Sequence, residues 1–496
     1  MMLNPLINNQ KNHYFKTIVI LKYVVLIFSL YQTLALYKNL VNNEGFKLLF
    51  LIPLIFGLYF FFSNLKKYFL KNIPMTFFII VLFFKYLITP FVIMSANNFS
   101  AMANGAVTSL RQQELGTSIM IYEMICIIIT IEICIKFFGK EKKIRNSEKK
   151  AYNYPNTVLI ISIFIGIVAL FIFPQILQDF NFILVKEETF VSNRNTIITI
   201  FAYFSEFAQI FFFIVTVKIC VYKKNSGKKY STIALFLTGI LNITLMWTAN
   251  RMTIFLVAGT TLSILLYYFA EKKRIFLISI LLLSVIMVIL LSSYRLYGTV
   301  GLELSSDFAD YFKLDKLSAA LQTYFGGPDS VAGAVATKEY YGEAINGKTF
   351  LNDSFGAVQF IKQLPVFLND RRNSTFFLFN MVTANGYNPG FIIPMAGQGY
   401  IYFGFFLSPI FSILSVLLLF LSERKAKTKN DVAYKYVFIY LTFNFALFPM
   451  YNYTLLMQNV FGRFIPLYMI IWLNKYIYFR KVNNKKERSI SNANIR

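Results

Sequence analysis

Residues 275–294 read IFLISILLLSVIMVILLSSY and contain no charged side chain. A transmembrane α-helix needs about 20 predominantly apolar residues to cross the hydrocarbon core, so this stretch predicts one complete span. Lipid offers no partner for backbone N–H and C=O groups, and a helix satisfies these groups within itself. The apolar residues are continuous and do not alternate with polar ones, which excludes the strand pattern of an outer-membrane barrel.

Similar apolar runs recur on both sides of this stretch in the 496-residue chain. Hydrophobic residues make up 57% of the sequence, whereas soluble domains contain roughly 45–50% and confine them to a core. The sequence therefore predicts an all-α, polytopic membrane bundle of about 12 spans. The predicted spans are 17–37, 46–64, 73–95, 117–138, 157–177, 196–219, 232–249, 252–270, 275–294, 396–421, 435–454 and 456–478.

Charged residues divide the connections between these spans into two classes. Lys and Arg outnumber Asp and Glu by 49 to 23, which gives a formal net charge of +26. Connections rich in lysine and arginine lie on the cytoplasmic side of membrane proteins. The basic connections of this chain are 65–72, 139–155, 222–230, 271–274, 423–430 and the carboxy-terminal tail. The sequence thus predicts that both termini are cytoplasmic. The positive net charge is explained by this topology and does not indicate a nucleic-acid partner.

One segment interrupts the apolar pattern and is predicted to lie outside. Between Arg295 and Gly390, eight basic residues stand against nine acidic ones, so the segment is soluble in character. This predicts three parts: spans one to nine in 1–294, a large external loop in 295–395, and the last three spans with a basic tail in 396–496. We expect the chemistry of the protein in or beside this loop.

Two stretches of the loop are predicted to contact the membrane. Apolar residues recur at helical spacing near its start, which predicts an amphipathic helix on the outer interface. These residues are Phe308, Tyr311, Phe312, Leu314, Leu317 and Leu321. Further on, 364–380 reads LPVFLNDRRNSTFFLFN, with a polar centre between apolar flanks, and predicts a partly buried or re-entrant segment.

Arginines mark the predicted external side. Arg251 stands at the turn of the apolar hairpin LNITLMWTANRMTIFLVAGTTLSILLYYF (241–269). It either snorkels to the membrane surface or grips a pyrophosphate bidentately. Asp370, Arg371 and Arg372 form either a phosphate-binding group or a solvated loop tip. Arg194, Arg295 and Arg463 lie at or near span ends on the same side. Arginine instead of lysine at these external sites favours an anionic ligand.

Acidic, cysteine and histidine residues give further constraints. Glu123, Glu132 and Glu206 fall inside predicted spans, where they either relay protons or pair with a basic group such as Lys85. The three cysteines lie in or beside spans, and the one histidine, His13, lies in the amino-terminal tail. The sequence therefore predicts no disulfide framework, zinc site or haem site.

Two motifs and the overall layout resemble a known family. TANRMTIFLVAG (248–259) places Arg251 after a small polar residue at the start of a span. GFIIPMAGQGYIYFGFFLSPIF (390–411) gives a glycine- and aromatic-rich start to a late span. The matching positions there are Gly397, Gly399, Tyr400, Tyr402 and Gly404. Together with the large external loop, these features resemble the Wzy-type repeat-unit polymerases of O-antigen and capsule synthesis.

The resemblance implies a glycosyltransferase of the bacterial cytoplasmic (inner) membrane that uses no metal or cofactor. Such enzymes join undecaprenyl-pyrophosphate-linked oligosaccharide repeat units into O-antigen, capsule or exopolysaccharide at the outer face. The implied partners are these lipid-linked glycans, membrane lipids, a flippase and a chain-length regulator. Arginines would neutralise the departing pyrophosphate, and Asp370, Asp353 or Glu343 would accept a proton. The catalytic candidates are Arg251, Arg371, Arg372 and Asp370, and the substrate-binding candidates are Arg194, Arg295, Gln398, Tyr400 and Arg463.

Two alternative functions stay open. A repeat-unit flippase or another transporter fits the span count, although so long an external loop is unusual in that class. An O-antigen ligase shares the layout of the polymerases. Ligases of that type carry a histidine in the large loop, however, and this loop contains none.

Overall fold

The fold is given by a computed structural model that describes residues 5–39, 44–68, 72–101, 108–138, 155–176, 196–244, 251–297, 313–356, 374–383 and 391–493. Across these ranges the backbone forms helices joined by turns, and none of it forms a β-strand. The predicted all-α class is therefore confirmed for the described part of the chain.

The α-helices are numbered here in chain order. The helices before the predicted external loop are α1 (Pro5–Asn39), α2 (Leu51–Phe62), α3 (Ile73–Phe83), α4 (Thr89–Ala96), α5 (Leu110–Phe138), α6 (Thr157–Ile172), α7 (Thr196–Asn225), α8 (Thr232–Thr244), α9 (Arg251–Tyr268) and α10 (Lys273–Tyr297). Those within and after it are α11 (Leu314–Phe325), α12 (Pro328–Tyr341), α13 (Gly347–Phe355), α14 (Thr375–Thr383), α15 (Met395–Phe403), α16 (Ile410–Thr428), α17 (Val432–Ala446), α18 (Tyr453–Asn459) and α19 (Ile465–Ala493).

Six helical stretches of the described chain are long and apolar enough to cross a membrane. They are Thr17–Asn39, Glu44–Phe62, Ile73–Ala96, Leu110–Phe138, Ile200–Asn225 and Tyr453–Arg480. Each of them overlaps a span predicted from the sequence. The predicted pair at 252–270 and 275–294 corresponds to α9 and α10, which pass the same test together but are bent by 116° between them. The helices α6 and α8 are apolar but shorter. These features fit a polytopic, helical membrane protein.

The structure corrects the predicted span at 396–421, because this stretch is not one continuous helix. Helix α15 ends at Phe403, and α16 begins at Ile410. Gly404 follows α15 with a φ of 77°, a backbone conformation that glycine adopts without steric penalty. A Cβ added at Gly399 would lie 2.1 Å from the carbonyl oxygen of Ser408, so the intervening turn packs directly on α15. Helix α15 alone is about 14 Å long, which is too short to cross a bilayer.

The helices group into two compact units. The first comprises 1–141, 304–421 and 444–458, and the second comprises 142–303, 422–443 and 459–496. This grouping follows packing and does not bear on the predicted division into membrane and external parts, which stays a prediction.

The core of the first unit contains a helix that hydropathy does not reveal. The first ten residues of α12 are all buried, although several of them are polar or small. A Cβ added at Gly116 of α5 would lie 2.7 Å from the backbone nitrogen of Ala332, and one added at Gly397 of α15 would lie 2.7 Å from Cβ of Ala334. Small residues allow such close approach of helices in apolar surroundings. The predicted external loop therefore supplies a central helix of this unit.

Helix α11 overlaps the stretch that the sequence predicts as an amphipathic helix. Leu314 at its start is 52% exposed, whereas Ser318, Gln322 and Phe325 are buried. The Ser318 hydroxyl donates to the carbonyl oxygen of Asn98 at 2.8 Å. A helix is thus present, but its buried face is mainly polar. Phe308, Tyr311 and Phe312 lie outside the described residues.

In the second unit, small residues and amides bring apolar helices together. The Ser205 hydroxyl of α7 donates to the carbonyl oxygen of Gly166 in α6 at 2.9 Å. A Cβ added at Gly166 would lie 2.4 Å from Cβ of Ala208, so these helices touch along their backbones. Asn242 of α8 donates from Nδ2 to the Thr261 hydroxyl of α9 at 2.9 Å. Close packing and buried hydrogen bonds therefore join the helices of this unit.

Candidate functional site

The candidate site of the first unit is built around the carboxylate of Asp353 in α13. Its Oδ2 accepts hydrogen bonds from the Tyr402 hydroxyl at 2.6 Å, from Gln398 Nε2 at 3.0 Å and from the Thr375 hydroxyl. The Asp353 side chain is fully buried, and its Oδ1 has no hydrogen-bond partner within the described part of the chain. Buried carboxylate oxygens are normally paired, so an oxygen without a partner marks a position at which a proton or a hydroxyl would bind.

The amino-terminal cap of α13 sets the direction of Asp353. Asn346 Oδ1 accepts from the backbone N–H groups of Lys348 and Thr349, and the Thr349 hydroxyl accepts from the backbone N–H of Asn346. This reciprocal arrangement is a capping box, which satisfies otherwise unpaired N–H groups at a helix start. Thr349 and Asp353 are four residues apart and therefore lie on the same face, and both are buried. The cap thus fixes which face of this short helix enters the unit.

Gln398 of α15 ties the carboxylate to the surrounding segments. Its Nε2 lies 3.0 Å from the Thr375 hydroxyl and 3.1 Å from the Thr454 hydroxyl, in addition to its contact with Asp353. Its Oε1 accepts from the backbone N–H of Tyr453 at 2.8 Å. One buried amide therefore joins α13, α14, α15 and α18 at a single point. Such networks fix a unique arrangement only when their polar atoms all have hydrogen-bond partners. Both the nitrogen and the oxygen of the Gln398 amide have such partners.

Aromatic rings cover this polar cluster. The rings of Phe411 and Tyr453 are stacked with centroids 4.2 Å apart, and those of Phe350 and Tyr453 are stacked at 5.7 Å. Tyr402 meets Phe350 edge-on at 5.2 Å. Phe403 packs against this group and is 42% exposed. The rings exclude water from Asp353 and leave apolar surface at the rim, where a flat apolar ligand face can stack.

Burial governs the electrostatics of the site. Burial raises the pKa of the Asp353 carboxyl above its ordinary value, and the hydrogen bonds from Thr375, Tyr402 and Gln398 offset part of this rise. A carboxyl group whose pKa is raised takes up a proton more readily near neutral pH, which is the requirement for a general base. Tyr402 is half-buried and its hydroxyl donates to Asp353, so a proton can pass between the two groups.

Two of the residues proposed from the sequence as substrate-binding lie in α15. Gln398 is part of the Asp353 cluster, and Asp353 itself is one of the three carboxylates considered as a proton acceptor. Tyr400 lies on the other side of α15, where Lys338 Nζ donates to its carbonyl oxygen at 2.8 Å and lies 4.8 Å from its ring centroid. The structure therefore brings Asp353 and Gln398 together, whereas Tyr400 lies on the opposite face of α15.

The other arginine and acidic candidates divide into described and undescribed residues. In the second unit, Arg463 forms an ion pair through Nε with Glu206 Oε1 at 2.6 Å, and its Nη1 donates to Asn459 at 3.1 Å. Arg251 is the first residue of α9 and Arg295 lies in α10, but their side chains are outside the described part. Arg194, Asp370, Arg371 and Arg372 lie outside the described residues altogether. Glu343 is exposed in the turn that follows α12.

Two of the three acids inside the predicted spans pair with a basic group, which is one of the two alternatives predicted from the sequence. Lys85 Nζ lies 2.8 Å from Glu123 Oε2, with both side chains essentially inaccessible to solvent. Ser412 donates to the other oxygen of Glu123, and the Tyr59 hydroxyl donates to Glu132 at 3.1 Å. Lys85 belongs to a π-helical turn at Phe84–Ile88 between α3 and α4. Pairing with a basic group is thus confirmed for Glu123 and for Glu206, whereas Glu132 accepts from a tyrosine and proton relay stays a prediction.

Sequence reasoning missed Thr375 and Thr454, which complete the hydrogen bonds of the cluster. Neutral hydroxyl residues carry no signal in a composition or charge pattern. Their only sequence signal is position, because both lie in segments that the topology predicts outside. Among the described residues, no group of three or more His, Cys, Asp or Glu side chains is arranged to hold a metal ion. No family model, curated protein or solved structure matches the chain.

Proposed function

We propose that the protein is a repeat-unit polymerase of the Wzy type in the bacterial cytoplasmic membrane. In this proposal about 12 spans enclose a catalytic site on the outer face, both termini are cytoplasmic, and the loop 295–395 is external. The enzyme joins undecaprenyl-pyrophosphate-linked oligosaccharides into O-antigen, capsule or exopolysaccharide. A flippase that delivers the units and a chain-length regulator are its proposed protein partners.

The Asp353 cluster is the observation that carries this proposal. Asp353 and Thr375 belong to the predicted external loop, and Gln398 lies at the predicted outer end of a late segment. Tyr453 lies at the end of the predicted span 435–454, in the short turn before the span 456–478, which the charge pattern also predicts outside. Segments that the charge pattern assigns to one side therefore converge on one buried carboxylate. The overlying rings offer stacking surfaces of the kind that an oligosaccharide requires, since sugar rings have flat apolar faces. A carboxylate next to a sugar-binding surface supports glycosyl transfer.

The proposed reaction transfers a glycan between two lipid carriers. An acceptor hydroxyl attacks the anomeric carbon of the growing chain, and the bond from that carbon to the pyrophosphate oxygen breaks. The acceptor proton passes through the Tyr402 hydroxyl to Asp353, so Asp353 acts as the base through Tyr402. Arg371 and Arg372 compensate the charge of the departing undecaprenyl pyrophosphate, because the guanidinium group remains charged and binds phosphate oxygens in pairs. Arg251 stays a further catalytic candidate for binding a phosphate.

Chain connectivity supports the pairing of the arginines with this cluster. Arg371 and Arg372 precede Thr375 by four and three residues. Three residues of extended chain span at most about 11 Å, and an arginine side chain adds further reach. Asp370 in the same stretch is then proposed to orient one of these guanidinium groups. Arg194, Arg295, Gln398, Tyr400 and Arg463 remain the proposed residues of the glycan- and carrier-binding surface.

The test is complementation of a deletion strain with variants expressed at equal protein level. The deletion is expected to reduce surface glycan to a single-unit band, because single units are still exported. Asp353→Asn and Tyr402→Phe are expected to restore little of the ladder, since general-base catalysis contributes about 10²- to 10⁴-fold to rate. Asp315→Asn is the matched control, because Asp315 is an exposed acid in α11 of the same unit, and it is expected to restore the full ladder.

Each other outcome assigns the protein differently. A full ladder from Asp353→Asn would remove the carboxylate from catalysis. Repeat units stranded in the cytoplasm of the deletion strain would identify a flippase, the alternative that the buried Lys85–Glu123 pair favours. Long polymer left on the lipid carrier would identify a ligase.

A further inference from the structure

A groove in the second unit combines lysines with aromatic rings. It encloses about 290 Å³ between α19 and the turn that joins α16 to α17. Its lining residues are Lys429, Tyr434, Tyr468, Trp472, Lys475, Tyr476 and Phe479. The residues from α19 recur at intervals of three and four, so they form one face of that helix. This groove involves none of the residues assigned to the Asp353 cluster.

Among the described residues, the two lysines of the groove have no anionic partner. Lys429 Nζ lies 5.7 Å from the ring centroid of Tyr434, and Lys475 Nζ lies 5.4 Å from the same centroid. Within the described part of the chain, neither ammonium group lies within 4.0 Å of a carboxylate oxygen. Burial and the positive charges of Lys475 and Lys425 lower the pKa of Lys429. Two cations beside one ring repel each other, and an anion placed between them would remove this repulsion.

The rings of the groove are of the type that gathers at a membrane surface. The rings of Trp472 and Tyr476 are stacked with centroids 5.4 Å apart, and Tyr434 meets Tyr468 edge-on at 5.7 Å. Trp472 is 50% exposed. Tryptophan and tyrosine combine an apolar body with a polar tip, and they are enriched at the level of lipid headgroups. The groove therefore presents cationic and interfacial surface side by side.

The position of the groove along the chain favours a lipid as its ligand. The α19 residues lie in the second half of the candidate span Tyr453–Arg480. Met469 and Leu473 on the same helix are 60% and 41% exposed, which leaves apolar surface next to the groove. A soluble anion would meet only the lysines and would make no use of this surface. A lipid satisfies both, because its phosphate meets the lysines while its acyl chains cover the apolar residues.

We propose that this groove binds an anionic phospholipid, with its phosphate between Lys429 and Lys475 and its glycerol and acyl chains against Trp472 and Phe479. The bound lipid belongs to the leaflet that faces the basic connection 423–430, which the charge pattern assigns to the cytoplasm. The proposal does not depend on the polymerase function.

Trp472 reports on the occupant directly. The chain has two tryptophans, so Trp247→Phe leaves Trp472 as the only one. The purified protein is reconstituted into bilayers in which brominated phosphatidylglycerol or brominated phosphatidylcholine replaces part of a neutral background lipid. Bromine quenches a neighbouring indole, and the concentration dependence of quenching gives the relative affinity for the two lipids. We expect a preference of about tenfold for phosphatidylglycerol. Each lysine near an anionic headgroup contributes roughly a factor of five, and the combined effect is below the product of the two factors because both lysines share one phosphate.

Charge-matched variants separate the groove from the general attraction of a basic protein for anionic lipid. In the Trp247→Phe background, Lys429→Gln with Lys475→Gln is expected to reduce the preference to about twofold or less. Lys228→Gln with Lys229→Gln removes the same charge from exposed positions of the same unit and is expected to keep the tenfold preference. Lys429→Arg with Lys475→Arg keeps both charges and is also expected to keep it. Size-exclusion profiles identify any variant that does not fold.

Three results would overturn the proposal. The first is equal quenching by the two brominated lipids in the protein that carries only Trp247→Phe, a measurement that needs no change in the groove. The second is an equal loss of preference in the Lys228 and Lys229 control. The third is displacement of phosphatidylglycerol by soluble glycerol 1-phosphate at a comparable concentration, because the groove would then be a site for a free anion.

Discussion

Replacement of Lys85 by methionine isolates the energetic role of the buried Lys85–Glu123 pair. Nζ and Oε2 lie 2.8 Å apart, and the two side chains are 1% and 0% exposed. Methionine has nearly the length and volume of lysine without its charge. The substitution therefore leaves Glu123 charged or forces it to bind a proton, while Ser412 remains its only described hydrogen-bond donor. Loss of one partner of a buried ion pair costs about 3–5 kcal/mol, and we expect a destabilisation of that size.

The corresponding double variant distinguishes the ion pair from simple loss of packing. Glu123→Met alone leaves the Lys85 ammonium unpaired and is expected to cost about the same. Lys85→Met with Glu123→Met removes both charges together, and apolar replacement of a whole buried pair is often neutral or stabilising. The double variant should therefore lie within about 2 kcal/mol of the unmodified protein. The strong non-additivity follows because each single change leaves a charge without its partner.

The measurement is unfolding of the purified protein in mixed micelles titrated with sodium dodecyl sulfate, followed by circular dichroism. Lys224→Met is the control, because Lys224 pairs with Glu271 while the two side chains are 34% and 42% exposed, and exposed pairs contribute about 0.2–1 kcal/mol. Single-variant losses below about 1 kcal/mol, or losses that add in the double variant, would refute the reasoning. Either result would mean that water reaches the pair and that the protein does not rely on it for stability.

Two further expectations concern the first unit. The raised pKa of Asp353 means that the folded state binds the carboxyl proton more tightly than the unfolded state does. The resulting stabilisation of the folded state is present below the unfolded pKa of about 3.9 and is lost as pH rises through the folded pKa. The stability of the unmodified protein relative to Asp353→Asn should therefore increase as pH is lowered from 8 towards 4. Thermal unfolding of both proteins across that range measures this, and a difference in unfolding temperature that stayed constant or decreased would contradict it. Gly116→Ala places a methyl group 2.7 Å from the backbone nitrogen of Ala332, so overpacking should cost about 1–3 kcal/mol. Gly347→Ala, where a Cβ would meet no atom within 4 Å, should unfold like the parent protein, and equal unfolding curves for the two glycine variants would refute the close approach.

The sequence predicts the long spans well because hydropathy acts on each helix independently. The span predicted at 73–95 corresponds to Ile73–Ala96, and the span predicted at 456–478 lies within Tyr453–Arg480. The pairing of Glu123 with Lys85 is also predictable, since a charge inside a membrane bundle requires a partner. These inferences need only the local sequence and the physical properties of lipid.

Other features depend on tertiary packing and could not be read from hydropathy. The break after Phe403 is hidden because apolar residues continue on both sides of Gly404. Helix α12 resembles a soluble segment in composition, yet its small residues make it suitable for a core in which helix backbones touch. The Asp353 cluster joins residues that are 22 and 45 positions apart, and no local pattern reports such a contact. Asp353 and Gln398 could be proposed separately as site residues but not as hydrogen-bond partners.

The short helices around Asp353 depend on α12 for their order. Helices α13, α14 and α15 each have nine residues, and isolated helices shorter than about 12–15 residues are marginal in water. Their arrangement must therefore come from packing and from the Gln398 network. Helix α15 packs on α12 at Gly397, and α12 packs on the long helix α5 at Gly116. Helix α12 therefore connects the long helix α5 to the helix that carries Gln398, and a segment with the composition of a soluble loop lies at the centre of this unit.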